Sequence, residues 1–139
     1  MTHARSSDVR VRDAADLLGV SDDTVRRWID SGALPATKDP AGRAVIAGAD
    51  LAKFAREHAR APADPTSVES SARNRLVGLV TQVTSDAVMS EVEMQCGPFT
   101  VVSLMSTRSV HALGIEPGSV AVAVVKATNV IVETPKEAG

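Results

Sequence analysis

Ala14-Ala15-Asp16-Leu17-Leu18-Gly19-Val20-Ser21-Asp22-Asp23-Thr24-Val25-Arg26-Arg27-Trp28-Ile29-Asp30-Ser31-Gly32-Ala33-Leu34-Pro35 decides the reading of the first half of this 139-residue chain. Asp13 to Leu18 reads as a short helix, with Ala14, Leu17 and Leu18 on one face. Gly19 ends it, because glycine tolerates the positive φ of a helix C-terminus. Val20 fills the corner. Ser21 is a good N-cap for the next helix, and Asp22 and Asp23 sit favourably at the positive end of its dipole. That helix is expected over Asp22 to Asp30, with Val25, Trp28 and Ile29 packing inward and Thr24, Arg26, Arg27 and Asp30 near the outer face. Gly32 stops it. Helix, glycine turn and second helix make a helix-turn-helix.

Outward from this stretch, Leu34 to Lys38 and Arg43 to Ile46 read as a two-stranded wing whose tip is Asp39-Pro40-Ala41-Gly42. A further helix starts at Asp50, with Leu51 and Phe54 buried. The composition then changes. Residues 1–60 are rich in Ala, Asp and Arg, whereas residues 75–134 are rich in Val, Thr and Ser. Between them, residues 61–70 hold Pro62, Pro65 and small polar side chains and read as an extended linker. We therefore expect a head over 1–60, a linker over 61–70, a second domain over 71–135 and a tail over 136–139.

In the second domain, strands are expected over Arg75–Val83, Ala87–Met94, Phe99–Ser106, Val120–Lys126 and Val130–Glu133. Ser85-Asp86 and Cys96-Gly97-Pro98 read as turns. Thr107 is expected to cap a short helix over Arg108–Leu113, ended by Gly114. Ser90, Val92 and Met94, with Val88, form one face of the second strand; Met89, Glu91 and Glu93 form the other. Met89, Met94 and Met105 read as barrel or interface filling. Five short strands with a helix between the third and fourth predict a small OB-like β-barrel. The whole chain is thus α+β and multidomain: a small winged helix-turn-helix followed by a five-stranded barrel.

Composition narrows the possible functions. There are 21 Ala and 20 Val but only Trp28, Phe54 and Phe99 as aromatics. A core this thin gains little burial, and such domains often lean on assembly. The formal net charge is −2; residues 1–66 are neutral and residues 67–139 carry −2. This excludes a nucleic-acid binder driven by bulk charge alone. Cys96 is the single cysteine, so an intramolecular disulfide and a cysteine metal cage are excluded. No run reaches the ~18 apolar residues that cross a bilayer, and the start has no apolar signal segment. A soluble, cytoplasmic protein is expected. His3, His58 and His111 have no metal-ligand spacing, and no metal-cation site is expected. Nothing assembles a nucleophile, a base and an orienting acid, so an enzyme is not expected.

The phrase from Ala14 to Pro35, followed by a wing, resembles the excisionase and MerR-like winged helix family over about residues 9–58. In that family the second helix enters the major groove and the wing touches the DNA backbone. The resemblance implies DNA contact by Thr24, Arg26, Arg27, Lys38 and Arg43. Asp22 and Asp23 depart from it, since two carboxylates at that helix end repel phosphate. Specific binding would then need more than one copy. The bland alternative makes the head an assembly module with solvated arginines.

The second half carries Ser71-Ala72-Arg73-Asn74 before its first strand, Gly78-Leu79-Val80-Thr81 within it, Ser106 to Gly118 around the helix, and Ala123-Val124-Val125-Lys126-Ala127-Thr128-Asn129-Val130. In this order and spacing they resemble the Mop or molbindin domain, also called TOBE, over about residues 70–134. The resemblance implies molybdate or tungstate held at subunit interfaces of a homo-oligomer, a hexamer first and a dimer second. It assigns the anion to Ser71, Ala72, Arg73, Asn74, Lys126, Ala127 and Thr128. The residue chemistry agrees, because a tetrahedral dianion needs convergent hydroxyl, N–H and cationic donors. Thr107, Ser109 and Val110, at the start of the short helix, make a possible second oxyanion site.

Three functions follow. The first is a molybdate-responsive DNA-binding transcriptional regulator. The second is an intracellular molybdate store or buffer whose head serves assembly. The third is an excisionase-like accessory protein with an unused barrel, which predicts no anion binding.

Overall fold

The computed structural model describes residues 8–136. His3 and residues 137–139 of the tail lie outside the described residues. The chain divides into two compact units, one ending at Arg60 and the other beginning at Ala61. No helix among the described residues is long and apolar enough to cross a membrane.

The first unit runs β1 (Asp8–Arg10), α1 (Val11–Leu18), α2 (Asp22–Asp30), β2 (Thr37–Lys38), β3 (Ala44–Ala47) and α3 (Gly48–His58). Gly19 closes α1 in the left-handed region, at φ 70°. The Ser21 hydroxyl accepts the Thr24 N–H at 3.2 Å and so caps α2. The core joins Val11, Ala14, Ala15, Val25, Leu34, Ile46, Leu51 and Phe54. Trp28 closes over it, its ring centre 4.7 Å from that of Phe54. His58 also stacks on Phe54, ring centres 3.8 Å apart, with Nδ1 3.0 Å from the Phe54 carbonyl oxygen.

Two features of this unit differ from expectation. Helix α1 starts two residues early, at Val11. Val11, Ala14 and Ala15 form its buried face, and Leu17 is 71% exposed. The wing also gains a third strand, because β1 pairs antiparallel with β3 on the side opposite β2. Val9 stands between Asp8 and Arg10 in β1, and three residues are too few for alternation to announce a strand.

The second unit runs β4 (Asn74–Ser85), β5 (Met89–Cys96), β6 (Phe99–Ser106), α4 (Thr107–Leu113) and β7 (Val120–Val125), then a 3₁₀ turn over Ala127–Asn129. The four strands form one antiparallel sheet, in the order β6-β5-β4-β7, that curls into a half-barrel of OB-like type. Ser90, Val92, Met94 and Cys96 face the buried side of β5 in strict alternation. With Val80 and Val110 most of them form the core, supported by Leu76, Val101, Met105 and Ile115. Met89 stays on the exposed side.

Three expectations are corrected here. Residues 130–133 form no fifth strand, and Ile131 and Val132 are more than four-fifths exposed. An apolar run becomes a strand only when an edge pairs with it. Cys96, expected in a turn, is the buried last residue of β5. The α4 cap is Ser106, whose hydroxyl accepts the Ser109 N–H at 3.1 Å, and Thr107 is the first helical residue.

Candidate functional site

Strands β4 and β7 run antiparallel with Asn74 opposite Val125. The chain therefore enters β4 and leaves β7 at the same end of the sheet. This register brings Ser71-Ala72-Arg73-Asn74 beside Lys126-Ala127-Thr128, two segments more than fifty residues apart in sequence. The Asn74 carboxamide pins the juxtaposition, since its Nδ2 donates to the Val125 carbonyl at 3.1 Å.

The two segments offer several donors. Ser71, Arg73, Lys126, Ala127 and Thr128 are exposed. Asn129 N–H donates to the Lys126 carbonyl, and Val130 N–H to that of Ala127. The N–H groups of Ala127 and Thr128 precede the first of these bonds and are geometrically left over, as at any helix start. Arg73 and Lys126 have no carboxylate within ion-pair distance among the described residues. The Arg73 guanidinium makes one long bond, 3.3 Å, to the Ser71 carbonyl. Two cations, two hydroxyls and two peptide N–H groups at one sheet end suit a dianion. One of the expected backbone donors is already engaged, and so is one side chain of the segment. The Ala72 N–H donates to Ser70 Oγ at 3.1 Å, and the Asn74 side chain serves the sheet.

Thr107, Ser109 and Val110 are arranged differently. Thr107 is buried; its N–H donates to the Val88 carbonyl and its Oγ1 to the Asp86 carbonyl, both at 2.8 Å. Ser109 is tied to Ser106 through its N–H and its hydroxyl, and Val110 belongs to the core. The Thr107 hydroxyl has one proton, spent on Asp86, so it accepts from Ser90 Oγ at 2.8 Å. Ser90 in turn accepts from Ser85 Oγ at 2.6 Å. This chain of hydroxyls, buried at Ser90 and Thr107, fastens α4 to the β4–β5 hairpin.

In the head, Arg26, Lys38 and Arg43 line one cleft of about 490 Å³ between the starts of α1 and α2 and the wing. Arg10 and Arg12 join them, and Asp13 and Asp22 lie in the same cleft. Reading the sequence missed Arg10 and Arg12; their flanking of Val11, the first buried residue of α1, was the available signal. Thr24 and Arg27 lie outside this cleft, and Arg27 Nη2 donates to Thr24 Oγ1 at 3.3 Å. At the wing tip Asp39 accepts the N–H groups of Ala41 and Arg43, both at 2.9 Å, and pairs with Arg43 Nε at 3.2 Å. These bonds, the Arg43 N–H first, hold the Asp39 carboxyl below its ordinary range.

Comparison with known proteins follows the same division. A helix-turn-helix domain model matches residues 9–59, and a TOBE domain model matches residues 70–132. A molybdate-binding protein from Sporomusa ovata is 30% identical over 48% of this chain and 100% of its own, with a TM-score of 0.47. Residues 70–132 belong to the TOBE family. The TOBE half is also similar to MopII from Clostridium pasteurianum, at 36% identity over 48% of this chain and 100% of that one, TM-score 0.45. The cytoplasmic molybdate-binding protein ModG, solved with molybdate bound, is 37% identical over 52% of each chain, TM-score 0.48. This chain thus spans about half of ModG. A search of curated protein sequences returns no match.

Proposed function

We propose that this protein binds molybdate, or the similar tungstate, between its TOBE halves, and that its helix-turn-helix head converts binding into control of a DNA site. The observation that carries the anion reading is the β4–β7 register. It sets Ser71 and Arg73 beside Lys126, Ala127 and Thr128 with two cations unpaired by carboxylates among the described residues. Two of the similar proteins, at 30% and 37% identity, are molybdate-binding by their names, which supports the same ligand here.

Assembly is part of the reading. The half-barrel leaves a concave cavity of about 920 Å³ lined by Val80, Val92, Met94, Val101 and Met105. Val102, Leu104 and Val120 are all more than half exposed, and residues 130–132 have no strand partner. A homo-oligomer would cover these surfaces and bring several anion segments together. A hexamer is the first expectation and a dimer the second.

For DNA, Arg10, Arg12, Arg26 and Lys38 of the head cleft outnumber its two carboxylates, Arg43 being paired with Asp39, and this excess supports phosphate contact. Asp13 and Asp22 within that cleft favour the second reading, an intracellular molybdate store whose head serves assembly. A gel-shift titration on the protein's own upstream DNA, with and without molybdate, separates the two. A molybdate-dependent shift supports the regulator. Equal absence of binding in both arms supports the store.

A further inference from the structure

Sequence reading treated residues 61–70 as a plain spacer, but part of this segment is fastened to the TOBE half. Arg75, the second residue of β4, donates from Nε to Asp64 Oδ2 at 2.9 Å and from Nη2 to Thr66 Oγ1 at 2.6 Å. The other carboxylate oxygen of Asp64 accepts the Thr66 N–H at 2.8 Å and the Thr66 hydroxyl at 2.7 Å. Asp64 and Arg75 are only about a third and a quarter exposed, so the pair is partly shielded from water. Four bonds among three residues, three of them between side chains, fix one geometry, which a solitary surface ion pair does not do.

The clamp has a topological consequence. Residues 65–74 lie between its two ends, and they include Ser70, Ser71, Ala72, Arg73 and Asn74. The anion segment is therefore part of a closed ring. Its C-terminal end is held twice, by the Asn74 bond to Val125 and by Arg75 in the clamp. Among the described residues, its N-terminal end is held by Asp64 and Thr66 and by the local Ser70–Ala72 bond. A loop so tied loses less freedom when it closes on a ligand.

We propose that Asp64, Thr66 and Arg75 are positioning residues for the oxyanion site, shaping the Ser70–Asn74 loop without touching the anion. The proposal rests on the molybdate reading above. Asp64 offers a test that charge alone cannot imitate. Removing a carboxylate near an anion site relieves repulsion, so a purely electrostatic role predicts tighter binding in Asp64→Ala. A positioning role predicts weaker binding.

The experiment is calorimetric titration of molybdate into the full-length wild type, Asp64→Ala, Asp64→Asn and Thr66→Val, with melting curves for each. Asp64→Ala is expected to weaken binding about tenfold, the equivalent of re-ordering one residue of backbone on binding. Asp64→Asn, which keeps an acceptor for Thr66, should recover part of that loss. Thr66→Val changes no charge and should weaken binding by about threefold, half the logarithmic effect. It keeps the test open if Asp64→Ala fails to fold. Wild-type-like or tighter binding in Asp64→Ala or Thr66→Val overturns the positioning role while leaving the site intact. A wild type that takes up no molybdate overturns the anion reading, and the positioning role with it.

Discussion

Gly78 tests how closely the strands of the TOBE half approach. Its φ is not in the left-handed region, so conformational freedom is not the reason for glycine here. The reason is space. A Cβ at this position would meet the Gln95 carbonyl oxygen, the Gln95 carbonyl carbon at 3.0 Å and Cys96 Sγ at 2.7 Å. Ordinary contact begins near 3.4 Å, so the sulfur alone must retreat by about 0.7 Å. The sulfur has a rotatable bond, but the Gln95 carbonyl belongs to β5 and cannot move without the strand. Overpacking of this kind costs about 1–3 kcal/mol, and the backbone partner puts Gly78→Ala in the upper part of that range. Replacing glycine within a strand returns about 0.5–1 kcal/mol. The net loss is then about 2 kcal/mol, which lowers the melting temperature of a domain this size by roughly 10 °C. Far-UV circular dichroism would follow the sheet, while Trp28, the single tryptophan, reports the head. A Gly78→Ala, Cys96→Ala pair removes the sulfur but leaves the carbonyl, and should recover less than half of the loss. A single variant melting within about 1 °C of wild type would refute the steric account.

Other outcomes follow from the same geometry. Thr107→Val leaves the Asp86 carbonyl without its donor and takes from the Ser90 hydroxyl one of its two partners, and should cost about 1–3 kcal/mol in denaturant unfolding. The Asp64 carboxyl is held down to about 2, first by its hydrogen bond from Arg75, then by those from Thr66. Its contribution to stability is full above the ordinary carboxylate value of 3.8 and lost as pH falls towards about 2. Melting temperature should therefore decline over that interval, and less steeply in Asp64→Asn. On the DNA reading, Arg26→Ala should weaken binding at every sequence and reduce the slope of affinity against salt by about one, measured by fluorescence anisotropy.

The parts of the fold that were legible in sequence are those set by local chemistry. Gly19, Ser21 and the Val25–Trp28–Ile29 spacing specify the end of one helix and the start and inner face of the next within eleven residues. Alternation of Ser90, Val92 and Met94 marks the buried side of β5 in the same way. What escaped depends on distant partners. Leu17 has the right spacing for a core, but the start of α1 at Val11 turns the buried face towards Ala14 and Ala15. The run from Val130 to Val132 has strand-forming side chains and no edge to pair with in one chain. Ser106 and Thr107 are equally good caps by residue type, and the buried hydroxyl chain to Ser90 decides between them. At the candidate site, family order grouped the seven residues, and the β4–β7 register puts the two segments that carry them at one end of the sheet. The Asp64–Arg75 contact leaves no periodicity behind it, so a Pro-rich stretch read as a spacer.

The most direct test of the central claim is calorimetric titration of the purified protein with molybdate and with sulfate, in the wild type and in Arg73→Ala and Lys126→Ala. The account predicts saturable molybdate binding, weaker sulfate binding because sulfate is smaller than the donor array, and loss of at least tenfold in either variant as a charged hydrogen bond is removed. Absence of molybdate binding in the wild type, or unchanged affinity in Arg73→Ala and Lys126→Ala, would contradict it.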